Sequence, residues 1–189
     1  TSSGIRSCYP LWGKEYCTGG EDGLGRVVYF GAWESYFLLA EAALRNWNTA
    51  GISDQQAYED GIRASFSYFG VSQYVDEYLN SEDYNRVGTS VKYTHTTEPS
   101  SFKATYIDGY TQTQKTVDYQ YPIASKTLYG KALNDKLTKI ITQKYLAQMP
   151  YLVQEAWSDH RRLGLPFFDM TANENVMTGS DMSDWRPNS

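Results

Sequence analysis

The sequence predicts a mainly α-helical fold: tetratricopeptide-like antiparallel helix pairs carrying long irregular loops. Three observations predict it. Apolar residues recur at helical spacing from about 33 to 79, the same spacing returns from about 133 to 163, and it is lost in the Tyr- and Thr-rich stretch between. The organisation that follows is one domain over 1–189. It has a helix pair at about 33–79, an irregular insertion at about 80–132, a second pair at about 133–163 and a loop at 164–189.

Each element has its own reasons. Trp33, Phe37, Ala40, Leu44 and Trp47 make the stripe of the first helix, and Leu38, Leu39, Ala42 and Ala43 widen it. Glu41 and Arg45 pair at i,i+4 on the remaining face, and Thr49-Ala50-Gly51 ends the helix. Ser53, with Gln56 three residues on, opens the next as a capping box. Tyr58, Ile62, Phe66 and Phe69 line its inner face, and Glu59 is expected to pair with Arg63. Gly61 inside this helix marks a close helix approach. Gly70 ends it, and Ser72 caps a short continuation with Tyr74, Val75, Tyr78 and Leu79. The pair spans about 37 residues, near the ~34-residue tetratricopeptide unit.

In the insertion, Val91–Thr94 and Ala104–Ile107 read as short strands, with Asp108-Gly109 a turn. Helix returns at about Leu133, capped by Asn134, with Leu137, Ile140, Ile141, Tyr145 and Met149 as its stripe. Pro150 opens or kinks the next helix. Val153, Ala156, Trp157 and His160 share a face of it, and Gly164 with Pro166 stops it.

Composition narrows the function. The chain has 189 residues, with 17 Lys and Arg against 22 Asp and Glu, a net charge of −5. That balance argues against a nucleic-acid surface, because phosphate binding needs clustered cations, so no nucleic-acid partner is expected. Mean hydropathy is −0.56, and no run approaches the ~20 apolar residues of a membrane helix. Gly23-Leu24-Gly25 lacks the third glycine and the following helix of a dinucleotide site. Residues 1–10 do not read as a signal peptide, and we expect the chain to be a fragment. Cys8 and Cys17 flank a loop with Pro10 and Gly13. They form a disulfide in an oxidising compartment, adding roughly 2.5–3 kcal/mol, or stay as two thiols in a reducing one.

No arrangement of catalytic type is present: no nucleophile elbow, no Cys/His pair, no P-loop. His95 has no second His for a transition metal. Asn173, Glu174, Asn175 and Asp181 do not have calcium-loop spacing, so neither metal nor cofactor is expected. On a helix, Glu155 and Asp159 share a face while Arg161 and Arg162 point elsewhere. Their expected role is architectural, through ion pairs that join helices. Trp33, Trp47 and Trp157 fall at helical core positions and are expected to pack between helices. Aromatics outside the stripes differ. Tyr9, Trp12, Tyr16, Tyr93, Tyr106 and Tyr110 offer flat apolar faces with polar edges, suited to sugar rings or a peptide backbone. They are the candidate ligand-binding residues.

Four segments, in order, carry a resemblance. They are Glu34-Ser-Tyr-Phe-Leu-Leu-Ala-Glu-Ala42, Ala57-Tyr-Glu-Asp-Gly-Ile62, Ile141-Thr-Gln-Lys-Tyr-Leu-Ala147 and Glu155-Ala-Trp-Ser-Asp-His-Arg-Arg-Leu-Gly-Leu-Pro166. Together they resemble the SusD/RagB family of outer-membrane nutrient-binding lipoproteins of Bacteroidetes. The resemblance implies a tetratricopeptide-like α/α architecture and an extracellular, lipid-anchored position. It implies a SusC-like TonB-dependent transporter as partner and glycan or peptide as cargo; the structural roles expected of Glu41, Trp157, Arg161 and Arg162 come from their helical positions. Family chains are much longer, and Cys8, after Ile5-Arg6-Ser7, lacks the context of a lipidation site. The rest of such a chain is therefore expected as a further partner. The function expected is non-catalytic glycan binding. Peptide binding is the nearest alternative, and an α/α-type glycoside hydrolase is the alternative of another class.

Overall fold

A computed structural model describes residues 28–119, 121, 124 and 127–168. The chain runs through α1 (Ala32–Leu44), α2 (Asp54–Tyr68), a 3-10 turn (Ser72–Tyr74) and α3 (Val75–Leu79). Strands β1 (Phe102–Ile107) and β2 (Gln114–Tyr119) follow, then a second 3-10 turn (Leu128–Gly130), α4 (Lys136–Gln148) and α5 (Val153–Leu163). Two helix pairs, α1 with α2 and α4 with α5, are joined face to face through α1 and α4. This matches the predicted helical architecture.

The first pair is shaped by its ends. Ser53 Oγ accepts from the Gln56 amide at 3.1 Å, as the capping sequence predicts. The other half of the box does not form, because Gln56 Nε2 donates to Asp60 instead. At the far end Gly70 takes φ +70°, its N–H bonding Ser67 O and the Val71 N–H reaching back to Phe66 O at 2.9 Å. This satisfies the last carbonyls of α2. The same motif ends α1 earlier than the apolar spacing predicts. Asn46 takes φ +60° and the Trp47 N–H bonds Ala42 O at 2.9 Å, so Trp47 lies beyond the helix. A β-carbon on Gly61 would stand 2.9 Å from the Phe37 ring, which is the close approach expected there.

The core lies where the pairs meet. Trp33, Phe37 and Ala40 of α1 pack with Ala57, Tyr58 and Ile62 of α2 and Ile140 and Ile141 of α4. Phe37 and Tyr58 meet edge to face at 6.3 Å. The Glu41–Arg45 pair forms at 2.9 Å. Arg63, expected on Glu59, pairs with Asp76 at 2.8 Å instead, while Glu59 accepts from Gln55.

The irregular segment after α3 is held by buried polar groups just before and within the first turn of α4. Asn134, predicted as a helix cap, is instead a fully buried junction. Its Oδ1 accepts from the Ser90 N–H and from Lys139 Nζ, and its Nδ2 donates to His95 O and Thr97 O. The cap of α4 is Asp135, whose Oδ1 accepts from the Thr138 N–H at 2.8 Å. Lys139 is completely buried and donates to Ser90 O, Ser90 Oγ and Asn134 Oδ1, each at 2.7 Å. Burial lowers its pKa to about 8, so the ammonium stays charged at neutral pH among these acceptors. Val91–Thr94 is accordingly a turn, not the predicted strand.

Strands β1 and β2 form an antiparallel two-stranded ribbon, in register from Phe102 opposite Tyr119 to Ile107 opposite Gln114. Ala104–Ile107 is strand and Gly109 lies in a turn, as the sequence predicts; the partner strand Gln114–Tyr119 is not among the predicted elements. At the end of α5, Gly164 takes φ +71° and bonds His160 O. His160 is buried as predicted. Its Nδ1 lies 2.9 Å from Pro166 O, so that nitrogen carries the proton, and burial lowers its pKa.

Candidate functional site

Among the described residues, the tip of the ribbon and a concavity between α1 and α5 both bring exposed aromatic surface together with polar groups. The tip is residues 108–113. Asp108 Oδ1 accepts from the N–H groups of Tyr110 and Thr111, both at 2.8 Å, and Oδ2 pairs with Lys115 Nζ at 2.7 Å. The Lys115 bond, aided by the two amides, holds the Asp108 carboxyl well below the usual carboxylate range. Gln112, at φ +56°, closes the loop with its N–H on Asp108 O and its side chain on Gly109 O. The ordered turn presents Tyr110 at 97% exposure, with Ile107 at 69% beside it in sequence.

The candidate ligand residues separate sharply on this structure. Tyr110 stands free at the tip. Tyr93 is not available to a ligand: it is 2% exposed, its hydroxyl donates to Asp54 at 2.8 Å, and Lys136 Nζ sits 5.0 Å from its ring centre. The Asp54 partner is far away in sequence, which is why a loop aromatic was expected there. Tyr106 sits in β1 opposite Lys115. Tyr9, Trp12, Tyr16 and the cysteines Cys8 and Cys17 lie outside the described residues.

The concavity holds about 730 Å³ and is lined by Leu38, Leu39, Ala42 and Leu163, by Trp47, and by Glu41, Arg45, Asp159 and Arg162. Arg162 binds Glu41 with both terminal nitrogens, at 2.6 and 2.8 Å, and Asp159 at 2.9 Å. Asp159 Oδ2 takes Lys144 Nζ at 2.8 Å, and Lys144 lies 3.9 Å from Glu34. Helices α1, α4 and α5 are thus tied by one chain of alternating charges. Glu41 of α1 and Arg162 of α5 are members of this chain and join their two helices. The expectation that Asp159 and Arg162 point apart is corrected, since three residues along a helix leaves them on one face. Burial works against the charged Glu41, but the bonds from Arg162 and Arg45 outweigh it and lower its pKa. Glu34 is shifted the other way, first by burial and then by the nearby Glu155 and Asp159, against Lys144.

The remaining structural candidates differ from expectation. Trp33 is buried, but Trp47 is 67% and Trp157 53% exposed. Trp157 stacks on His160 of its own helix, ring centres 5.7 Å apart, and does not pack between helices. The Arg161 side chain makes no ion pair among the described residues. Among those residues, no three His, Cys, Asp or Glu side chains are grouped to hold a metal ion. No helix there is long and apolar enough to cross a membrane.

The architecture defines the class first: paired helices cross-linked by buried charge, with an irregular arm mounted on them. The chain matches the SusD-like model of SusD and RagB outer membrane lipoproteins over residues 21–186, and it belongs to that family. A solved SusD homologue of Parabacteroides distasonis is 32% identical, with 80% of this chain covering 24% of that one at a TM-score of 0.54. A chitin-binding SusD homologue of Flavobacterium johnsoniae is 33% identical over 75% of this chain and 25% of that one, at 0.47. A SusD homologue of Bacteroides ovatus is likewise 33% identical, over 74% and 25%, at 0.46. The chain spans about a quarter of the length of these structures. No curated protein matches it.

Proposed function

We propose that this chain is part of an extracellular, lipid-anchored binding protein of the outer membrane. That protein holds glycan without breaking bonds and delivers it to a SusC-like TonB-dependent transporter. The observation that carries the reading is Tyr110: an aromatic face 97% exposed, on a turn ordered by Asp108 and mounted on a cross-linked helical frame. The turn is already ordered by the bond from the Tyr110 N–H to Asp108, so its backbone need not be fixed on binding, and the flat face of the ring with its hydroxyl edge matches a sugar ring. Family membership and the chitin-binding relative support the same cargo class.

The hydrolase alternative needs two carboxylates facing a bond across a cleft at about 5–10 Å. In the concavity, all four carboxylate oxygens of Glu41 and Asp159 are bonded to Arg or Lys, which favours holding over cutting. An array of neutral oligosaccharides and peptides tests the proposal. Retention of glycan is expected, with affinity falling about three- to tenfold in Tyr110→Ala, as for the loss of one aromatic stacking contact. No new reducing ends are expected on long incubation. Retention of peptides alone, or release of reducing ends, contradicts it.

A further inference from the structure

The concavity between α1 and α5 is separate from the ribbon tip on which the glycan reading rests, and its chemistry is specific. Trp47 stands on its wall because the left-handed Asn46 ends α1 and turns the chain there. The floor is aliphatic: Leu38, Leu39, Ala42 and Leu163. Two guanidinium groups line it with their side chains 42% and 46% exposed, those of Arg45 and Arg162. Each guanidinium carries five N–H donors. Arg162 commits three to Glu41 and Asp159 and Arg45 two to Glu41, so both keep donors unused. The two carboxylates, by contrast, are nearly buried, at 9% and 7%, and each of their oxygens already has a partner.

The site therefore offers an aromatic face, an apolar floor and spare N–H donors, while its carboxylate oxygens are nearly buried and already bonded. Its charges cancel among themselves. A ligand that complements it has an apolar face and several neutral acceptor oxygens. A cation finds no free carboxylate, and an anion meets no net positive charge, because Glu41 and Asp159 already neutralise the two guanidiniums. A volume of about 730 Å³ falls in the range of small-ligand pockets.

We infer that this concavity is a second sugar-binding place, separate from the ribbon tip. It takes an uncharged sugar unit with the ring face on Trp47 and hydroxyl or acetamido oxygens on Arg45 and Arg162. The inference rests on the glycan reading and names where, and which kind of, glycan is held. The guanidiniums are pre-oriented by the same bonds that tie the helices, so binding does not have to order them.

The test uses the full-length protein in which this chain occurs, labelled with nitrogen-15, and the indole N–H signal of Trp47 is assigned by its loss in Trp47→Ala. The probes are hexasaccharides of N-acetylglucosamine, of α- and β-1,4-linked glucose, and of galacturonic acid. The Trp47 signal is expected to move with at least one neutral probe and to stay still with the galacturonate. Arg45→Ala, which removes donors while leaving the Glu41–Arg162 bond, is expected to weaken that binding about fivefold or more, with unchanged circular dichroism. If a neutral probe binds but leaves the Trp47 signal still, and only Tyr110→Ala abolishes binding, the inference is overturned while the glycan reading stands. If no probe binds, both fall. A soluble gadolinium chelate that fails to broaden the Trp47 signal also overturns it, because protein then covers the concavity.

Discussion

The helical frame and the β1–β2 ribbon both set carboxylates against basic side chains, at nearly the same distances and in opposite surroundings. In the frame, Asp159 and Lys144 meet at 2.8 Å with side chains 7% and 6% exposed. In the ribbon, Lys103 and Asp118 meet at 2.7 Å with 75% and 67% exposed. Distance does not distinguish them; water does. Removing one partner of the buried pair strands a charge that cannot be solvated, while the exposed pair is replaced by water at little cost. The frame is therefore rigid through its charges, and the ribbon through its backbone and the Asp108 turn.

Substitutions separate the two regions, and the largest expected effect is in the frame. Asp159→Ala leaves Lys144 buried with only the distant Glu34, and is expected to cost about 3–5 kcal/mol of stability in urea unfolding. The same measurement on Asp118→Ala should give less than about 1 kcal/mol. Equal effects would remove the distinction between the regions. Next in size is Gly61→Ala, whose methyl would meet the Phe37 ring at 2.9 Å. It is expected to cost about 1–3 kcal/mol by overpacking, read from the thermal midpoint.

The pH dependence sharpens the contrast, because the shifted groups of the frame are the buried ones. Lys139 has its pKa lowered to about 8 from 10.5, so between these values the unfolded chain binds more protons. Stability should then rise with pH from about 8 towards 10. Beyond pH 10 the trend reverses, because buried Tyr58 and Tyr93, with raised pKa values, stay protonated in the fold while the unfolded chain loses those protons. On the acid side, the lowered Glu41 pKa adds stability that is present above 4.5 and lost as pH falls further. Urea midpoints across pH 3–11 check all three. The smallest effect is expected at the tip: Asp108→Ala should leave the urea midpoint almost unchanged while weakening oligosaccharide binding about as much as Tyr110→Ala.

Much of the frame was legible in the sequence because its signals are local. The Ser53 cap, the Gly70 and Gly164 ends, the Gly61 approach and the Glu41–Arg45 pair all act within a turn or between neighbouring helices. Misread positions depend on partners far along the chain or on one backbone angle. Tyr93 is buried because Asp54, 39 residues earlier, accepts its hydroxyl. Asn134 is a junction and not a cap because the loop at 90–97 folds onto it. Trp47 continues the apolar spacing of α1 perfectly well; only Asn46 in the left-handed region takes it off the helix. That asparagine was the available signal, since Asn is among the few non-glycine residues that adopt this angle readily. Val117 and Tyr119, two apart after the Asp108-Gly109 turn, were the available signal for the missed strand. For the site, Tyr110 was legible as an exposed loop aromatic, whereas the concavity depends on the Glu41–Arg162 contact across 121 residues.

Amide hydrogen exchange of the whole chain, with and without a neutral hexasaccharide that it retains, tests most directly whether cargo is gripped by irregular segments on an unchanging frame. The account predicts slow exchange in α1, α2 and α4 that the sugar leaves untouched, with new protection confined to 108–113 and to the connection at 45–53. Protection gained inside the helices, with those two segments unaffected, would contradict it.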